Sequence, residues 1–478
     1  MNVSINQAVS DFDATPLPKE LFLGYIKSGY STDSAIAEYI DNSIQQSLKN
    51  DRGANQTIRV DSGANGNTFF VTILDNAGGC PARDAYLFIR PGASTTSIKD
   101  AGISRFGVGG KISGLSIADR IIIESRCQGE KGFKTILDRE EILTKGDWRF
   151  SLRELQPDSV IDEGQTKVTL EKKSGVELDQ ITKNHLSSAI GQRYALIEES
   201  RFPTIIINGK TVKQSDPQEL LLTQIEAPTN CGPKKYDFDQ WFWTDSNRTE
   251  RSKVRFTVTV GLAAEATTTG NSGARVFCNG RQVGGWTELG LVEDGNRVHI
   301  GDKEAWLRAI VDIRGPAELM PWTSRKDGLD ASSAAFKVLQ SSLSNAYDRF
   351  MKEQLNPTLY ENRNNLKGKR NGMAVRMLIE ETYRQKLQNN TLHQSTARSL
   401  IKNTESFKRA VESISAEEPE VGKESQPIKS ISGKVEREKI EQAREIIEKT
   451  YGEDKVTDNE IVKRCIEHYV RCSRNGAQ

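Results

Sequence analysis

One predicted helix, residues 34–50, constrains this chain most, because it carries polar groups on an otherwise apolar segment. Six residues can share one inward face at the helical spacing of 3.6 residues per turn: Ala35, Ile36, Tyr39, Ile40, Ser43 and Ile44. The same helix places the carboxylate of Glu38 and the amide of Asn42 one turn apart, with Asp41 between them. The helix must therefore bury its apolar face while it presents an acid and an amide side by side.

The surrounding chain alternates helix and strand from about residue 33 to 175, which predicts an α/β domain. The candidate strands are TIRVDS, TFFVTILD, ADRIIIESR, GFKTILD and TKVTLEK. Residues 89–110 interrupt this pattern with a long stretch rich in Gly, Ser and Thr. Because loops of this length are usually functional or disordered, we expect this one to act as a mobile lid.

Residues 176–350 hold another set of helices and strands and predict a second domain that ends in a helix. Asn208-Gly209 and Asn279-Gly280 are typical of two-residue hairpin turns. The aromatic segment YDFDQWFWTD, residues 236–245, is predicted to be a strand pair with packed Trp and Tyr side chains. No basic residue interleaves this segment, which disfavours a base-stacking platform.

The C-terminal part is predicted to be helical and polar. Within a basic helical region, residues 351–412, the segment 361–410 holds 11 Lys and Arg against 4 Glu, a local net charge of +7. Either a solvated helical face or a phosphate-contacting surface would explain this charge. Residues 413–434 are typical of a flexible linker, and a pair of helices is predicted in residues 435–478.

The overall composition excludes several classes of protein. The chain has 478 residues, with 66 basic against 65 acidic ones, so it is not a polybasic nucleic-acid coat. No apolar run approaches the roughly 20 residues needed to span a bilayer, so no membrane partner is expected. The six cysteines and four histidines are too dispersed to build a metal site. We expect a cytoplasmic protein, or one in the nucleoid or nucleus if it binds DNA.

The segment FFVTILDNAGGC predicts one wall of a ligand site. An apolar strand ends at Asp75 and continues into Gly78 and Gly79. This order places one acceptor at a pocket wall and lets a ligand approach the backbone. On its own, Asp75 would more simply start a turn.

A second glycine-rich segment, RFGVGGKISGLSIADR, predicts a phosphate site. Gly107, Gly109 and Gly110 precede a predicted helix, and Lys111 follows at once. Their backbone N–H groups and the positive helix end can face a phosphate. The segment is not a Walker P-loop, because Ile112 stands where that motif needs Ser or Thr.

The order of these motifs resembles the Bergerat ATP-binding fold of the GHKL ATPases, which include gyrase B subunits, ninety-kilodalton heat-shock chaperones, histidine kinases and MutL. Glu-x-x-x-Asn on a helix, Asp-x-x-x-Gly after a strand and a glycine-rich loop entering a helix agree over about residues 20–175. SAIAEYIDNSI and SRFGVGGKISG look closest to the MORC-like and MutL-like branch. The resemblance implies an α+β fold: a Bergerat-type α/β sandwich in residues 1–175, a smaller ribosomal-protein-like α/β transducer domain in residues 176–350, and a helical C-terminal region.

The resemblance also implies roles for single residues around ATP and magnesium. Glu38 would be the general base that polarises the attacking water, and Asn42 would hold magnesium through its amide oxygen. Asp75 would accept a hydrogen bond from the adenine amino group, Thr166 in GQTKVTL would support the adenine site, and Gly79 would admit the ring. The phosphates would be wrapped by Gly107, Gly109 and Gly110, with Lys111 nearby.

Three departures from the family pattern lie at the adenine end. Ala77 stands where the family has its first glycine after the aspartate, and Gln45 and Gln46 replace the usual Asp-Ala. Gln165 splits the Gly-Thr pair. The acid, the magnesium ligand and the phosphate loop are retained, so magnesium-dependent ATP hydrolysis is the activity that the resemblance implies.

A cation from the second domain is implied by MPWTSRKDGLD, residues 320–330. By resemblance, Lys326 would be the transducer lysine that reaches the γ-phosphate, with Arg325 as the alternative. Such a cation is attracted more to ATP than to ADP, so the domains can close on the triphosphate. The segment ARVFCNGRQV also resembles the MutL-type strand FVNGR, which supports the transducer assignment.

Together these implications predict a slow ATPase in which ATP closes the lid and promotes a homodimer that works as a clamp or switch. By resemblance to MORC and MutL relatives, the clamped object would be duplex DNA, bound through residues 361–410, or a DNA-processing or phage-defence complex with an effector protein. The alternatives are a heat-shock-type chaperone ATPase and a nucleotide-sensing scaffold without turnover. A histidine kinase is disfavoured, because the first histidine, His185, follows the nucleotide motifs.

Overall fold

The structure is a computed structural model, and the chain divides into two units, Met1–Ala416 and Glu417–Gln478. The division falls inside the predicted linker. The described residues are 10–13, 23–24, 27, 29–50, 55–90, 93, 102–103, 109–145, 149–156, 159, 161–244, 247–263, 273–287, 292–293, 296–297, 304–366 and 371–388. The second unit and the helices predicted in it therefore lie outside the described residues, as does most of the predicted lid.

The first part of the chain folds into a nine-stranded sheet with helices packed on it. Its strands are β1 (Ser10–Asp13), β2 (Thr57–Asn65), β3 (Thr68–Asp75), β4 (Arg120–Arg126), β5 (Phe133–Asp138), β6 (Arg149–Glu154), β7 (Gln165–Lys173), β8 (Thr204–Ile207) and β9 (Lys210–Thr211). Across the sheet they run β1-β6-β5-β4-β7-β3-β2-β8-β9, with β2 and β8 parallel and the other neighbours antiparallel. All the strands predicted in the first domain are present.

The helices described on this sheet contribute to one apolar core with its strands. The helices are α1 (Thr32–Lys49), α2 (Tyr86–Ile89), α3 (Gly109–Ile117), α4 (Arg139–Lys145), α5 (Val176–Asn184) and α6 (Leu186–Arg193). Buried residues alternate along β7, which is the pattern of a sheet covered on one face. All six residues predicted on the inward face of α1 are buried. The helix prediction for this segment is therefore confirmed.

The first core extends beyond residue 175, where the sequence placed the domain boundary. Residues of α5 and α6 share one apolar core with α1 and the large sheet, and this core continues to Val212. The register of β8 places Thr204 opposite Thr57 of β2, so the late strands widen the same sheet. Asn208-Gly209 links β8 to β9 with positive φ at both residues, which confirms the predicted two-residue turn.

A second sheet follows, with its own core and helices. Its strands are β10 (Lys234–Trp243), β11 (Arg251–Leu262), β12 (Gly273–Cys278), β13 (Arg281–Thr287) and, after the short hairpin of β14 (Val292–Glu293) and β15 (Asn296–Arg297), β16 (Leu307–Arg314). Their order is β10-β11-β16-β12-β13. The helices α7 (Ala334–Phe350), α8 (Asn356–Glu361) and α9 (Asn371–Gln388) cover this sheet. The second core thus continues past residue 350, to Ile379 of α9.

The aromatic segment differs from its prediction. Residues 236–243 lie in β10 alone, at an edge of the second sheet, and not in a strand pair. Trp241 and Trp243 are 54% and 48% exposed, and the guanidinium of Arg251 on β11 lies 5.7 and 5.3 Å from their ring centroids. The prediction of packed Trp side chains was wrong, because Trp241 and Trp243 lie on the face of β10 that is open to solvent, whereas Tyr236 lies on the buried face.

The described part of the basic region is engaged within the molecule. On α9, Arg376 pairs with Glu380 at 2.9 Å, and Arg384 pairs with Glu381 at 3.4 Å. Lys386 donates to the carbonyl oxygen of Ala227 at 2.8 Å. Residues 389–410 lie outside the described part. Among the described helices, none is long and apolar enough to cross a membrane.

Candidate functional site

A cavity of about 250 Å³ lies between α1, α3 and the first sheet. Nearly all residues that the sequence placed in a nucleotide site line it: Glu38, Asn42, Asp75, Gly79, Gly109, Gly110, Lys111, Thr166 and Lys326. Gly107 lies outside the described residues. The structure therefore brings together residues from four sequence motifs of the first part of the chain and from the loop of residues 320–330.

One end of the cavity is built around Asp75, the last residue of β3. The hydroxyl of Ser43 donates to Asp75 Oδ2 at 2.7 Å, and the backbone N–H of Ala77 donates to Oδ1 at 2.9 Å. Burial raises the pKa of Asp75, while these two hydrogen bonds oppose the shift. Thr166 lies opposite Asp75 in the β3–β7 pairing, and its hydroxyl is 2.8 Å from that of Ser125. Since a carboxylate oxygen can accept more than one hydrogen bond, this end can receive an amino group.

The backbone structure alone requires glycine at position 79, whether or not a ligand binds. The φ of Gly79 is +68°, in the left-handed region that L side chains rarely adopt. A Cβ here would overlap the backbone carbonyl of Arg126 at the end of β4. The loop after β3 therefore lies directly on the neighbouring backbone, and glycine is required for that approach.

The departures from the family pattern do not all reach the cavity. Ala77 is buried outside it, and the side chain of Gln165 bonds to Asp162 instead. Gln45 and Gln46 do line the cavity. Gln45 accepts a hydrogen bond from the backbone N–H of Ile103 at 2.9 Å, so it holds a described piece of the predicted lid segment against α1.

The N-terminal end of α3 touches the polar pair of α1 directly. A Cβ on Gly109 would overlap the Glu38 carboxylate, and a Cβ on Gly110 would lie 2.9 Å from Asn42 Nδ2. Because Gly109 and Gly110 carry no side chains, the positive end of the helix can approach these groups. The structure therefore brings the acid, the amide and the glycine-rich helix start into contact, in agreement with their predicted proximity.

Lys111 lies just inside the same helix end. Its side chain is buried, and Nζ donates to the carbonyl oxygen of Ala93 at 3.1 Å. Burial lowers the pKa of Lys111 to about 7, because the charged ammonium has lost much of its hydration. A group of this kind gains its proton readily when an anion arrives beside it.

A buried cluster of four charged groups joins the two sheets at the cavity, and we call Glu38, Asp41, Arg281 and Lys326 the charge cluster. Lys326 Nζ lies 2.7 Å from Asp41 Oδ2 and 3.3 Å from Glu38 Oε2. Arg281 Nε lies 2.8 Å from Asp41 Oδ2, and Nη2 lies 3.4 Å from Glu38 Oε1. All four side chains are at most 4% exposed. Two carboxylates of α1 thus face one cation of β13 and one cation of the loop of residues 320–330.

The pKa of Asp41 reflects these neighbours. Burial alone would raise it, but the charges and hydrogen bonds of Arg281 and Lys326 outweigh burial and hold the pKa at about 2. The hydroxyl of Tyr194 also donates to Asp41 Oδ1 at 2.7 Å. Asp41 is therefore ionised throughout the neutral range and forms the centre of the cluster.

The loop of residues 320–330 presents Lys326, rather than Arg325, to the cavity. Lys326 has a φ of +55° and is 4% exposed, and the loop is closed by a bridge between Trp322 and Leu329. Arg325 is 44% exposed and pairs with Asp327 at 2.7 Å. Of the two candidates from the sequence, only Lys326 lies beside Glu38.

Asn42 is suited to a hard cation such as magnesium in one respect. Its side chain is exposed in the cavity, and no hydrogen bond to it is found within the described residues. An amide oxygen is an acceptable magnesium ligand when phosphates and water complete the shell. No group of three His, Cys, Asp or Glu side chains within the described part of the chain could hold a metal by itself.

Two members of the charge cluster were missed as functional residues by sequence reasoning. Asp41 was noted only as lying between Glu38 and Asn42, and Arg281 only as part of a strand motif. The available signal was an acid on a buried helix and a base directly after an Asn-Gly turn in an apolar strand. Buried charges of this kind are nearly always paired with an opposite charge.

No curated protein matches this chain. A family model described as Histidine kinase-, DNA gyrase B-, and HSP90-like ATPase matches residues 30–169. That range holds the cavity residues from Glu38 to Thr166 but not Lys326 or the rest of the second sheet. The match supports the GHKL family for the segment that builds the cavity.

Proposed function

We propose that the protein binds ATP with magnesium in this cavity, hydrolyses it slowly, and uses ATP to pair two copies of its N-terminal part. The family match supports ATP binding. The observation that carries the rest is the contact of Lys326 with Glu38, because it brings a cation of the second sheet to a carboxylate inside the cavity. A γ-phosphate would compete for that cation, so nucleotide state can alter how the two sheets meet.

In this proposal each group of the cavity has one task. Glu38 holds the attacking water and accepts its proton. Lys326 and Lys111 offset the phosphate charge, together with the N-terminal end of α3. Asp75 and Thr166 hold the adenine end. Magnesium, when bound through Asn42, offsets further charge between the phosphates.

The proposed output is a clamp of the MORC or MutL kind that closes on DNA or on a DNA-processing or defence complex. The sheet that supplies Lys326 would act as the transducer. The described basic side chains of this region, Arg363, Arg376, Arg384 and Lys386, all contact other groups of the protein, so direct DNA contacts would come from other parts of residues 361–410. Duplex DNA and an effector protein remain the partners that we propose.

The test of this function is ATP turnover with and without duplex DNA, combined with light scattering in a non-hydrolysable ATP analogue. We expect slow turnover, stimulation by DNA and a dimer mass only with the analogue. Lys326→Met should bind the analogue yet remain monomeric, because the cation that senses the γ-phosphate is gone. Turnover without any change in mass or any DNA effect would favour a chaperone-like ATPase, and neither turnover nor dimer would overturn the proposal.

The pKa of Lys111 leads to the prediction that ATP binding is coupled to the uptake of a proton. Since its pKa is about 7 in the free protein and a triphosphate favours the charged form, ATP binding should take up a proton between pH 7 and 10. Affinity should therefore weaken as pH rises through this range. Calorimetric titrations at pH 8 in two buffers with different ionisation enthalpies would measure the uptake, and Lys111→Met should abolish it. Equal heats in both buffers would contradict this assignment.

A further inference from the structure

We propose that Arg281 and Asp41 form a positioning pair that sets the geometry of Glu38 and Lys326 in the proposed ATP site. The inference rests on the proposed function and adds two residues that neither the motifs nor the family match assigns. Arg281 lies in the second sheet and Asp41 in α1, so the pair spans the two sheets behind the residues that would meet the nucleotide. Neither residue lines the cavity.

Arg281 contacts both Glu38 and Lys326, the two residues that the proposed function makes catalytic. Its Nη2 donates to Glu38 Oε1 at 3.4 Å, and its Nη1 donates to the backbone carbonyl of Lys326 at 3.4 Å. The backbone N–H of Gly284 donates to the same carbonyl at 3.3 Å. These bonds hold the peptide after Lys326, a residue with a left-handed φ of +55°, and thereby help to aim its side chain.

Asp41 decides how tightly the cations bind to Glu38. Arg281 Nε and Lys326 Nζ approach Asp41 at 2.8 and 2.7 Å, whereas their contacts with Glu38 are 3.4 and 3.3 Å. The shorter contacts go to the carboxylate that lies outside the cavity. Both cations therefore bind Asp41 more closely than Glu38, and this leaves the Glu38 carboxylate available to bind water. Without Asp41, both cations would have only Glu38 as their carboxylate.

The turn that carries Arg281 is itself fixed to the first part of the chain. Asn279 donates from Nδ2 to the carbonyl oxygen of Gly102 at 3.0 Å, in the predicted lid segment. A Cβ on Gly280 would lie 2.8 Å from the carbonyl oxygen of Leu196, so the turn also lies on the backbone that follows α6. Arg281 thus enters the cluster from an anchored hairpin, which is the condition for precise placement.

A single substitution in this pair would change the stability of the fold as well as the placement of Glu38 and Lys326, because it leaves a buried charge without its partner. A loss of activity could then have either cause. The decisive variant is the double substitution Asp41→Asn with Arg281→Met, which removes one negative and one positive charge together. Glu38 and Lys326 remain as a balanced pair, and the amide oxygen of the introduced asparagine can still accept from Tyr194. Replacing a buried ion pair by neutral side chains is often neutral for stability.

We expect the double variant to unfold near the wild-type denaturant midpoint and to bind a non-hydrolysable ATP analogue with nearly wild-type Kd. Its kcat should nevertheless fall by about 100-fold, the effect of a small misplacement of catalytic groups. Full retention of kcat would overturn the inference. So would an equal loss in both single variants that the double variant restores, because that pattern marks a purely structural ion pair.

The matched control is a second ion pair on α9, outside the cavity. Arg376 and Glu380 lie 2.9 Å apart, and Glu380→Gln with Arg376→Met makes the corresponding chemical change. This control should keep wild-type kcat. If wild type itself shows no turnover that depends on Glu38, the proposed function has failed. If wild type turns over and the double variant matches it, only the positioning pair has failed.

Discussion

Replacing Glu38 by glutamine is expected to lower kcat for ATP by about 10²- to 10⁴-fold, the range for loss of a positioned general base. Glutamine keeps the size of the side chain, and its single amide oxygen can accept from Arg281 or from Lys326, while Asp41 continues to accept from both cations. The cavity should therefore keep its shape. Because one negative charge beside the phosphates is removed, an ATP analogue should bind at least as tightly as to wild type. Steady-state kinetics give kcat, and calorimetric titration of the analogue gives Kd.

A matched acid-to-amide change tests whether the loss is specific to the cavity. Glu124 on β4 is also buried and pairs with Lys167 at 2.5 Å and Lys134 at 3.5 Å, but it does not line the cavity. Glu124→Gln should leave kcat unchanged even if it lowers stability. A Glu38→Gln enzyme that turns over at the wild-type rate would remove Glu38 from the mechanism. Loss in both variants to the same degree would point to a folding effect.

The second large effect concerns stability. Gly79→Ala is expected to lower the free energy of unfolding by about 2–5 kcal/mol, from left-handed backbone strain plus overpacking. The added methyl group would overlap the carbonyl of Arg126, a backbone atom that cannot move aside cheaply. Urea unfolding followed by far-UV circular dichroism measures the change. ATP binding should be lost with the fold of this loop.

Gly66 provides a control with the same backbone conformation and no contact. Its φ is +60°, close to the +68° of Gly79, but nothing lies within 4 Å of a Cβ placed there. Gly66→Ala should cost only the conformational part, about 1–2 kcal/mol. The difference between the two variants then isolates the contact with Arg126. Equal destabilisation would show that the loop after β3 can shift away from β4.

Sequence reasoning predicted those parts of the fold whose signals are local. The inward face of α1 follows from helical spacing, and the strands from apolar periodicity. The two Asn-Gly turns follow from the positive φ that such turns require, and both have it. Nearly all the predicted site residues line one cavity for the same reason, since each motif fixes its residues relative to its own helix or strand. Their assigned roles remain predictions.

What sequence reasoning missed depends on contacts between distant segments. The first core extends past residue 175 because β8 pairs with β2 across a long separation, and nothing local in either strand specifies that partner. The exposure of Trp241 depends on which face of the second sheet is covered, and that is not visible in the segment itself. Asp41 and Arg281 are 240 residues apart, so their pairing could not be read from spacing. In each case the sequence of one segment carries no local signal that identifies the distant partner.

The burial of the charge cluster has a practical consequence for ionic strength. Dissolved salt screens charges that face solvent, with a Debye length of about 8 Å at physiological ionic strength, but it acts much less on pairs removed from water. Contacts between exposed basic side chains and DNA phosphates weaken steeply as salt rises. The contact between the two sheets at Glu38 and Asp41 should therefore persist at salt concentrations that strip off nucleic acid. Raising the salt concentration should therefore remove the proposed DNA binding while it leaves the response of the charge cluster to nucleotide in place. No mutation is needed to study the two separately.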